Sequence, residues 1–192
     1  MKKWKAYYER VGKKPNSLVV ETLKDFVVSR SVALDLGAGN LRDSRFMLGQ
    51  GFSRVVAVDS SKESLAFKTD NIELYIMPIE TFRPEMDVFD FASCCNTLFF
   101  LTPEQIVEVI QNVKKGLRSG GIFVCNVLGK EDDWVLDGRP VSSFTEDSLI
   151  SIFQGFNIKG TCEGRHMIKT LNEHGFEVSK FWHQLSIVVE KP

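Results

Sequence analysis

Cysteines, blocks of like charge and long apolar runs are all scarce in this chain of 192 residues. The four cysteines form no Cys-x-x-Cys pair and have no paired histidines nearby, so we expect neither a zinc site nor a disulfide framework. No apolar run approaches the roughly 18 residues that a membrane span needs. The charged N-terminus is not followed by the apolar stretch of a secretory signal. We therefore expect a soluble, cytoplasmic protein without a metal and without a membrane partner.

The charge balance argues against a nucleic-acid partner. Twenty-four basic residues stand against 25 acidic ones, and no block of five or six like charges occurs. There is no internal repeat and no linker rich in Pro, Gly or Ser, so residues 1–192 are expected to form a single domain. We expect it to comprise an N-terminal lid with the first helix (1–30), a cofactor-binding half (31–128) and an acceptor-side half (129–192).

Short apolar runs alternate with helical patterns along most of the chain, which predicts a parallel sheet with helices on both faces. The predicted strands are Ser31–Leu36, Arg54–Val58, Ile72–Met77, Phe89–Cys95 and Ile122–Leu128. Helices are predicted after Thr102, which Gln105 completes as a capping box, and after Ser60, with Glu63 in the same role. Two further strands are expected at 157–170 and 181–191, with a short helix over 167–174 as the alternative.

The most informative stretch is Val32–Asn40, in which a buried strand runs into Gly37-Ala38-Gly39 and then into a helix. Glycines at this place allow a tight turn and let the backbone approach a ligand. A second strand ends at Asp59, 20 residues after Gly39, where a carboxylate can accept both ribose hydroxyls of an adenosine cofactor. The alternative is a plain turn with Asp59 as a helix cap.

Two details distinguish between the possible cofactors. Arg42 stands where a dinucleotide fingerprint requires a third glycine. Asp35, two residues before the first glycine, would repel a pyrophosphate but could hold an ammonium group through direct or water-bridged bonds. The pattern therefore favours a ligand with adenosine at one end and an amino acid at the other, as in S-adenosylmethionine.

With these motifs the sequence resembles the class I S-adenosylmethionine-dependent methyltransferases over nearly its whole length. Asp35–Gly39 looks like the first motif of that family, Asp59 like its ribose-binding acid and Leu117–Gly121 like the turn before its fifth strand. The resemblance implies a Rossmann-like, doubly wound, seven-stranded and mostly parallel α/β sheet with one antiparallel strand near the edge. Trp4–Tyr8 and Phe181–Val189 resemble the ends of small bacterial methyltransferases of the tellurite-resistance type.

The resemblance also implies roles for the residues that follow the second, third and fourth strands. Ser60 is expected beside the cofactor with Asp59. Where many relatives carry an acid on adenine this chain has Pro78, so adenine would be held by the backbone of Ile79 and Glu80 and by apolar packing. Asn96 is either a polar contact to cofactor or acceptor, or a turn residue at the end of a strand.

Candidates for the acceptor side lie outside these motifs. Tyr8, with Tyr7, is either part of a lid or packs on the first helix. Asp132 and Trp134 could contact the acceptor or belong to a solvated loop with one anchoring ring. Glu163 and His183 could pair across the last two strands and bind or deprotonate an acceptor, unless His183 is only a structural strand residue.

We expect methyl transfer from S-adenosylmethionine to a small-molecule acceptor. Gly37, Gly39 and Asp59 of the cofactor motifs are all present, so we expect the chain to bind the cofactor even if it does not catalyse methyl transfer. A cofactor-binding module without turnover is the first alternative. A nicotinamide-dependent oxidoreductase is the second, and Asp35 and Arg42 argue against it.

Overall fold

The computed structural model describes residues 4–171 and 176–192, which build one mixed sheet covered on both faces. Its strands are β1 (Val32–Leu36), β2 (Arg54–Asp59), β3 (Ile72–Ile76), β4 (Phe89–Cys94), β5 (Leu117–Gly129), β6 (Ser143–Phe144), β7 (Asn157–Leu171) and β8 (Glu177–Glu190). The order across the sheet is β3-β2-β1-β4-β5-β8-β7, and the short β6 pairs with the end of β5.

The strand directions confirm the expected fold class. β1 to β5 pair in parallel, whereas β8 is antiparallel to both of its neighbours, β5 and β7. The seven main strands therefore include one antiparallel strand, next to the edge. The eighth strand, β6, was not predicted from the sequence. Its two residues form a strand because they pair with Leu128 and Gly129 at the end of β5.

Helices cover the sheet unequally along its length. They are α1 (Lys5–Val11), α2 (Ser17–Phe26), α3 (Arg42–Gly49), α4 (Pro103–Gly116), α5 (Asp133–Leu136) and α6 (Glu146–Ser151). α2 and α3 pack on one face of the central strands, and α4 and α6 pack on the other. β1, β2 and β4 are thus buried on both faces, which explains why their sequences are continuously apolar.

One local expectation was wrong and another was right. The predicted capping box of Ser60 and Glu63 does not form; the segment Lys62–Phe67 is a 3₁₀ helix with Ser61 at its N-cap. The Ser61 N–H donates to the Asp59 carboxylate at 2.8 Å, and the helix therefore starts one residue later than predicted. The capping box at the start of α4 is present.

The last two strands also follow the sequence-based prediction. β7 runs as far as Leu171, so the alternative helix is not formed over 167–171, and the rest of that alternative lies outside the described residues. Because β1 to β5 are parallel, their carboxyl ends lie at one edge of the sheet, where ligands bind in open α/β folds.

Candidate functional site

The loop between β1 and α3 approaches its neighbours so closely that a side chain would not fit. Gly37 has φ +72°, and a Cβ added to it would lie 2.0 Å from Thr97 Oγ1. The N–H groups of Gly37 and Ala38 donate to the Val58 carbonyl at 2.8 and 3.1 Å. Gly39 is also in the left-handed region, at φ +53°. The loop is thereby folded onto the end of β2, with its backbone facing the sheet edge.

The carboxylate of Asp59, at the end of β2, is held in place by three donors. Gly39 N–H donates to Oδ2 at 2.8 Å, and Ser61 N–H and the Tyr8 hydroxyl donate to Oδ1 at 2.8 and 3.3 Å. The residue is 7% exposed. The glycine loop and the acid are therefore connected directly, as the spacing in the sequence predicts.

A cavity of about 370 Å³ opens at the carboxyl ends of these strands. Nine of the residues predicted to form the site line it: Tyr8, Gly37, Ala38, Gly39, Asp59, Ser60, Ile79, Glu80 and Asn96. The cavity crosses the sheet from the end of β3, past β2 and β1, to the end of β4. All of its lining residues fall between Trp4 and Leu101, so the predicted acceptor-side half, 129–192, contributes none of them.

Asp35 does not line the cavity. Its side chain points beneath the glycine loop, where Ser44 Oγ donates to it at 2.6 Å and Ser93 Oγ at 3.1 Å. Burial, with a smaller effect of the nearby Asp43 carboxylate, raises the pKa of Asp35 to about 7. The hydrogen bonds of Asp35 tie β1 to α3 and β4, and its contact with a cofactor ammonium group, direct or through water, stays a prediction.

The raised pKa of Asp35 predicts a pH-dependent stability. The folded state holds the proton more tightly than the unfolded chain, so the contribution of Asp35 to stability falls as the pH rises from about 4 to about 7. We expect Asp35→Asn to be close to neutral at pH 4 and stabilising at pH 8, because the amide avoids the buried charge. Urea unfolding at both pH values measures this. Equal effects at the two pH values, with exposed Asp70→Asn as the reference, would contradict it.

Arg42 and Asp43 begin α3 and line the cavity, although sequence reasoning gave neither of them a binding role. Asp43 is 8% exposed; its Oδ1 accepts from the Asn16 N–H at 2.6 Å and lies 3.8 Å from Arg42 Nε. Burial raises the pKa of Asp43. The position of Asp43 in the first turn of the helix after the glycine loop is the sequence signal that could have indicated its place in the cavity.

Helix α1 forms the roof of the cavity. Asn40 Nδ2 donates to the carbonyls of Tyr8 and Gly12, at 2.9 and 2.7 Å, and so attaches α1 to the glycine loop. The rings of Trp4 and Phe100, which both line the cavity, meet edge to face at 5.7 Å. A lid role of this segment stays a prediction. Burial also raises the pKa of Tyr8, so its phenol is a neutral donor toward Asp59.

Neither Asp132 nor Trp134 lines the cavity, although the Trp134 ring lies 5.9 Å from the ring of Phe100, which does line it. Asp132 is fully buried: its Oδ1 caps α5 by accepting from the Trp134 N–H at 2.9 Å, and its Oδ2 pairs with the Lys180 ammonium. That ammonium lies 4.7 Å from the Trp134 ring and 3.9 Å from the Trp182 ring. These residues fold the segment after β5 onto β8, and their contact with an acceptor stays a prediction.

Glu163 and His183 do meet, but outside the cavity. His183 Nε2 lies 2.8 Å from Glu163 Oε1, and His183 Nδ1 accepts from the Glu131 N–H at 3.1 Å, so Nε2 carries the proton. Hydrogen bonds from His183 and Arg165 lower the pKa of Glu163, which keeps it ionised. The His183 ring fills the space where Gly129 has no Cβ. This pair is a contact between β7 and β8, and neither member lines the cavity.

Residues 4–171 and 176–192 contain no group of three or more His, Cys, Asp or Glu side chains placed to hold a metal ion. None of the helices in these ranges has the length and apolar character to cross a membrane.

Comparison with known proteins agrees with the fold. Residues 33–121 match the family model described as a methyltransferase domain, and no curated protein sequence matches the chain significantly. TehB from Haemophilus influenzae superposes with a TM-score of 0.73 at 20% identity, over 98% of this chain and 67% of TehB. A putative methyltransferase of Haloferax volcanii, solved in complex with the methyltransferase activator Trm112, gives 0.77 at 14% identity, over 98% and 94%.

A third similar structure was solved with a product of methyl transfer. The N-methyltransferase NodS from Bradyrhizobium japonicum, in complex with S-adenosylhomocysteine, gives a TM-score of 0.68 at 14% identity, over 96% of this chain and 88% of NodS. The matched segment 33–121 contains the glycine loop, Asp59 and Asn96. Residues 33–121 of the chain thus match a methyltransferase domain, and the chain shares the class I methyltransferase fold of these solved structures.

Proposed function

We propose that this methyltransferase binds S-adenosylmethionine in the cavity at the sheet edge and transfers the methyl group to a small-molecule acceptor. The observation that carries the proposal is the fixed carboxylate of Asp59 beside the Gly37–Gly39 backbone. A buried carboxylate in this position can accept both hydroxyls of a ribose.

The residues of the cavity fit such a cofactor in shape and charge. The volume of about 370 Å³ lies in the range of small-molecule sites. Asp43, Asp59 and Glu80 line it against the single base Arg42, and an excess of acid suits a cationic ligand. Arg42 and Asp43 offer one charge of each sign next to each other, which complements the carboxylate and ammonium of an amino acid.

The cofactor, when bound, supplies a methyl group on a positively charged sulfonium sulfur. The chain then has to position the acceptor in line with that group and keep water out. The glycine loop gives space for close approach, Asp59 holds the ribose end, and Asn96 lies at the opposite end of the cavity. Asn40 holds helix α1 against the glycine loop, on one side of the bound cofactor.

A small acceptor is favoured by the size of the cavity, since a folded protein or a nucleic-acid duplex does not fit into about 370 Å³. We do not assign the acceptor-side role to Glu163, His183, Asp132 or Trp134, since none of them lines the cavity.

Calorimetric titration of the purified chain with S-adenosylhomocysteine, with NADH as the control, tests the proposal. We expect binding in the micromolar range, about −8 kcal/mol, and no heat with NADH, because Arg42 and the acids leave no place for a pyrophosphate. Binding of NADH alone would overturn the cofactor assignment. Binding of S-adenosylhomocysteine without methyl transfer to any compound of an acceptor screen would favour a cofactor-binding module.

A further inference from the structure

Three amide side chains, one from the turn after β4 and two from strands, meet at the end of the cavity farthest from β3. Asn126 Nδ2, on β5, and Gln184 Nε2, on β8, both donate to Asn96 Oδ1, each at 2.8 Å. In return the Asn96 N–H donates to Asn126 Oδ1 at 2.6 Å. Asn126 is 2% exposed, so the arrangement is anchored in the interior of the sheet.

The arrangement leaves only one end of the Asn96 amide for other partners. Both acceptor positions of Oδ1 are filled by protein donors, which turns Nδ2 away from β5 and β8. Within residues 4–171 and 176–192, Asn96 Nδ2 makes no hydrogen bond, while Asn96 itself lines the cavity. Its backbone is in the left-handed region, at φ +56°, a conformation that persists where the surroundings enforce it.

The cavity wall around Asn96 carries no charge. Its neighbours there are Cys95, Thr97, Phe100 and Leu101, and the ring of Trp4 lies against Phe100. The charged residues of the cavity, by contrast, lie on α3 and at the ends of β2 and β3. The charges of Arg42 and Asp43 do act on Cys95, but these two side chains pair with each other at 3.8 Å and are assigned above to the amino-acid end of the cofactor. A charged acceptor would therefore lose its hydration here without gaining a free counter-ion.

From this geometry we infer that Asn126 and Gln184 are positioning residues, which aim the Asn96 Nδ2 protons at the acceptor, and that the acceptor is an uncharged, partly apolar molecule presenting a carbonyl-type oxygen. The inference rests on the proposed function, since it places the acceptor beside a bound cofactor. Asn96 would contact the acceptor directly, whereas Asn126 and Gln184 act through it.

Three aromatic probes of similar size but different charge test the acceptor class. Benzamide, benzoate and benzylammonium are titrated into the protein saturated with S-adenosylhomocysteine at pH 7.5. We expect benzamide to bind at least fivefold more tightly than either charged probe. Tighter binding of benzoate or benzylammonium, or no binding of benzamide, would overturn the acceptor class.

Gln184→Met tests the positioning role, because methionine keeps the length of the side chain and removes the donor. We expect benzamide affinity to fall at least fivefold and S-adenosylhomocysteine affinity to stay within twofold; exposed Gln111→Met, the matched control, should change neither. The ¹⁵N-¹H signals of Asn96 Nδ2 should shift on addition of benzamide in the unmodified protein and not in Gln184→Met. An unchanged benzamide response in that variant would contradict the role.

A second variant covers failure of Gln184→Met to fold. Asn96→Asp keeps an oxygen for Asn126 and Gln184 and removes the donor, so benzamide binding should be lost; retained binding would contradict the inference. Absence of S-adenosylhomocysteine binding in the unmodified protein would overturn the proposed function and this inference with it. Normal binding with no preference for benzamide would overturn this inference alone.

Discussion

Replacing Asp59 by alanine should weaken the binding of S-adenosylhomocysteine roughly 10- to 150-fold, which corresponds to about 1.5–3 kcal/mol for a lost charge-assisted hydrogen bond. The variant removes the acceptor for the ribose hydroxyls. It also leaves the N–H groups of Gly39 and Ser61 without the partner that holds the glycine loop on β2. Calorimetric titration measures the change.

The control for this variant is Asp70→Ala, which removes an exposed carboxylate outside the cavity and should leave the affinity unchanged. Urea unfolding of both variants separates loss of binding from loss of fold. Unchanged affinity in Asp59→Ala would remove the main support for the cofactor site. A similar loss in both variants would point to a nonspecific charge effect.

Gly37→Ala should disturb both the fold and the site. Alanine in the left-handed conformation at φ +72° costs about 1–2 kcal/mol, and overpacking adds roughly 1–3 kcal/mol, because the new Cβ would lie 2.0 Å from Thr97 Oγ1 and 2.6 Å from Thr97 Cβ. We expect a loss of roughly 2–5 kcal/mol in the free energy of unfolding, and no measurable binding of S-adenosylhomocysteine.

Gly138 provides the matched comparison for Gly37. Its φ is +67°, close to that of Gly37, but a Cβ added to it meets nothing within 4 Å. Gly138→Ala should therefore cost only the conformational part, about 1–2 kcal/mol, with cofactor affinity retained. Comparing the thermal unfolding of the two variants separates the backbone strain of a positive φ from the steric clash with Thr97. Equal losses would mean that Thr97 moves aside and that close approach does not explain the glycine.

Much of the fold and half of the site could be predicted because the signals are local in the chain. The strand, the Gly37–Gly39 turn and the acid at Asp59 lie within 28 residues, and each has a residue type that its conformation or chemistry requires. Parallel pairing of β1 with β2 then brings Gly39 and Asp59 together without any further information.

The side-chain direction of Asp35 could not be predicted from neighbouring residues. It depends on the pleat of β1 and on the residues that α3 and β4 place opposite it. Ser44 and Ser93, 9 and 58 residues away in sequence, provide the partners that turn it inward. Asp43, which does reach the cavity, is placed there by the start of α3 and by a backbone contact with Asn16.

The sequence by itself determined the order of the elements, the glycine loop and the acid beside it, because periodicity, glycine geometry and spacing are properties of neighbouring residues. Only the tertiary structure decided which side chains share the cavity. β7 pairs with β8 so that Glu163 lies diagonally across from His183, and the two side chains meet outside the cavity. The next residue, Gln184, donates to Asn96, 88 residues earlier in the chain. Adjacent residues on a strand face opposite sides of the sheet, so the register of a long hairpin determines which of them reaches the site.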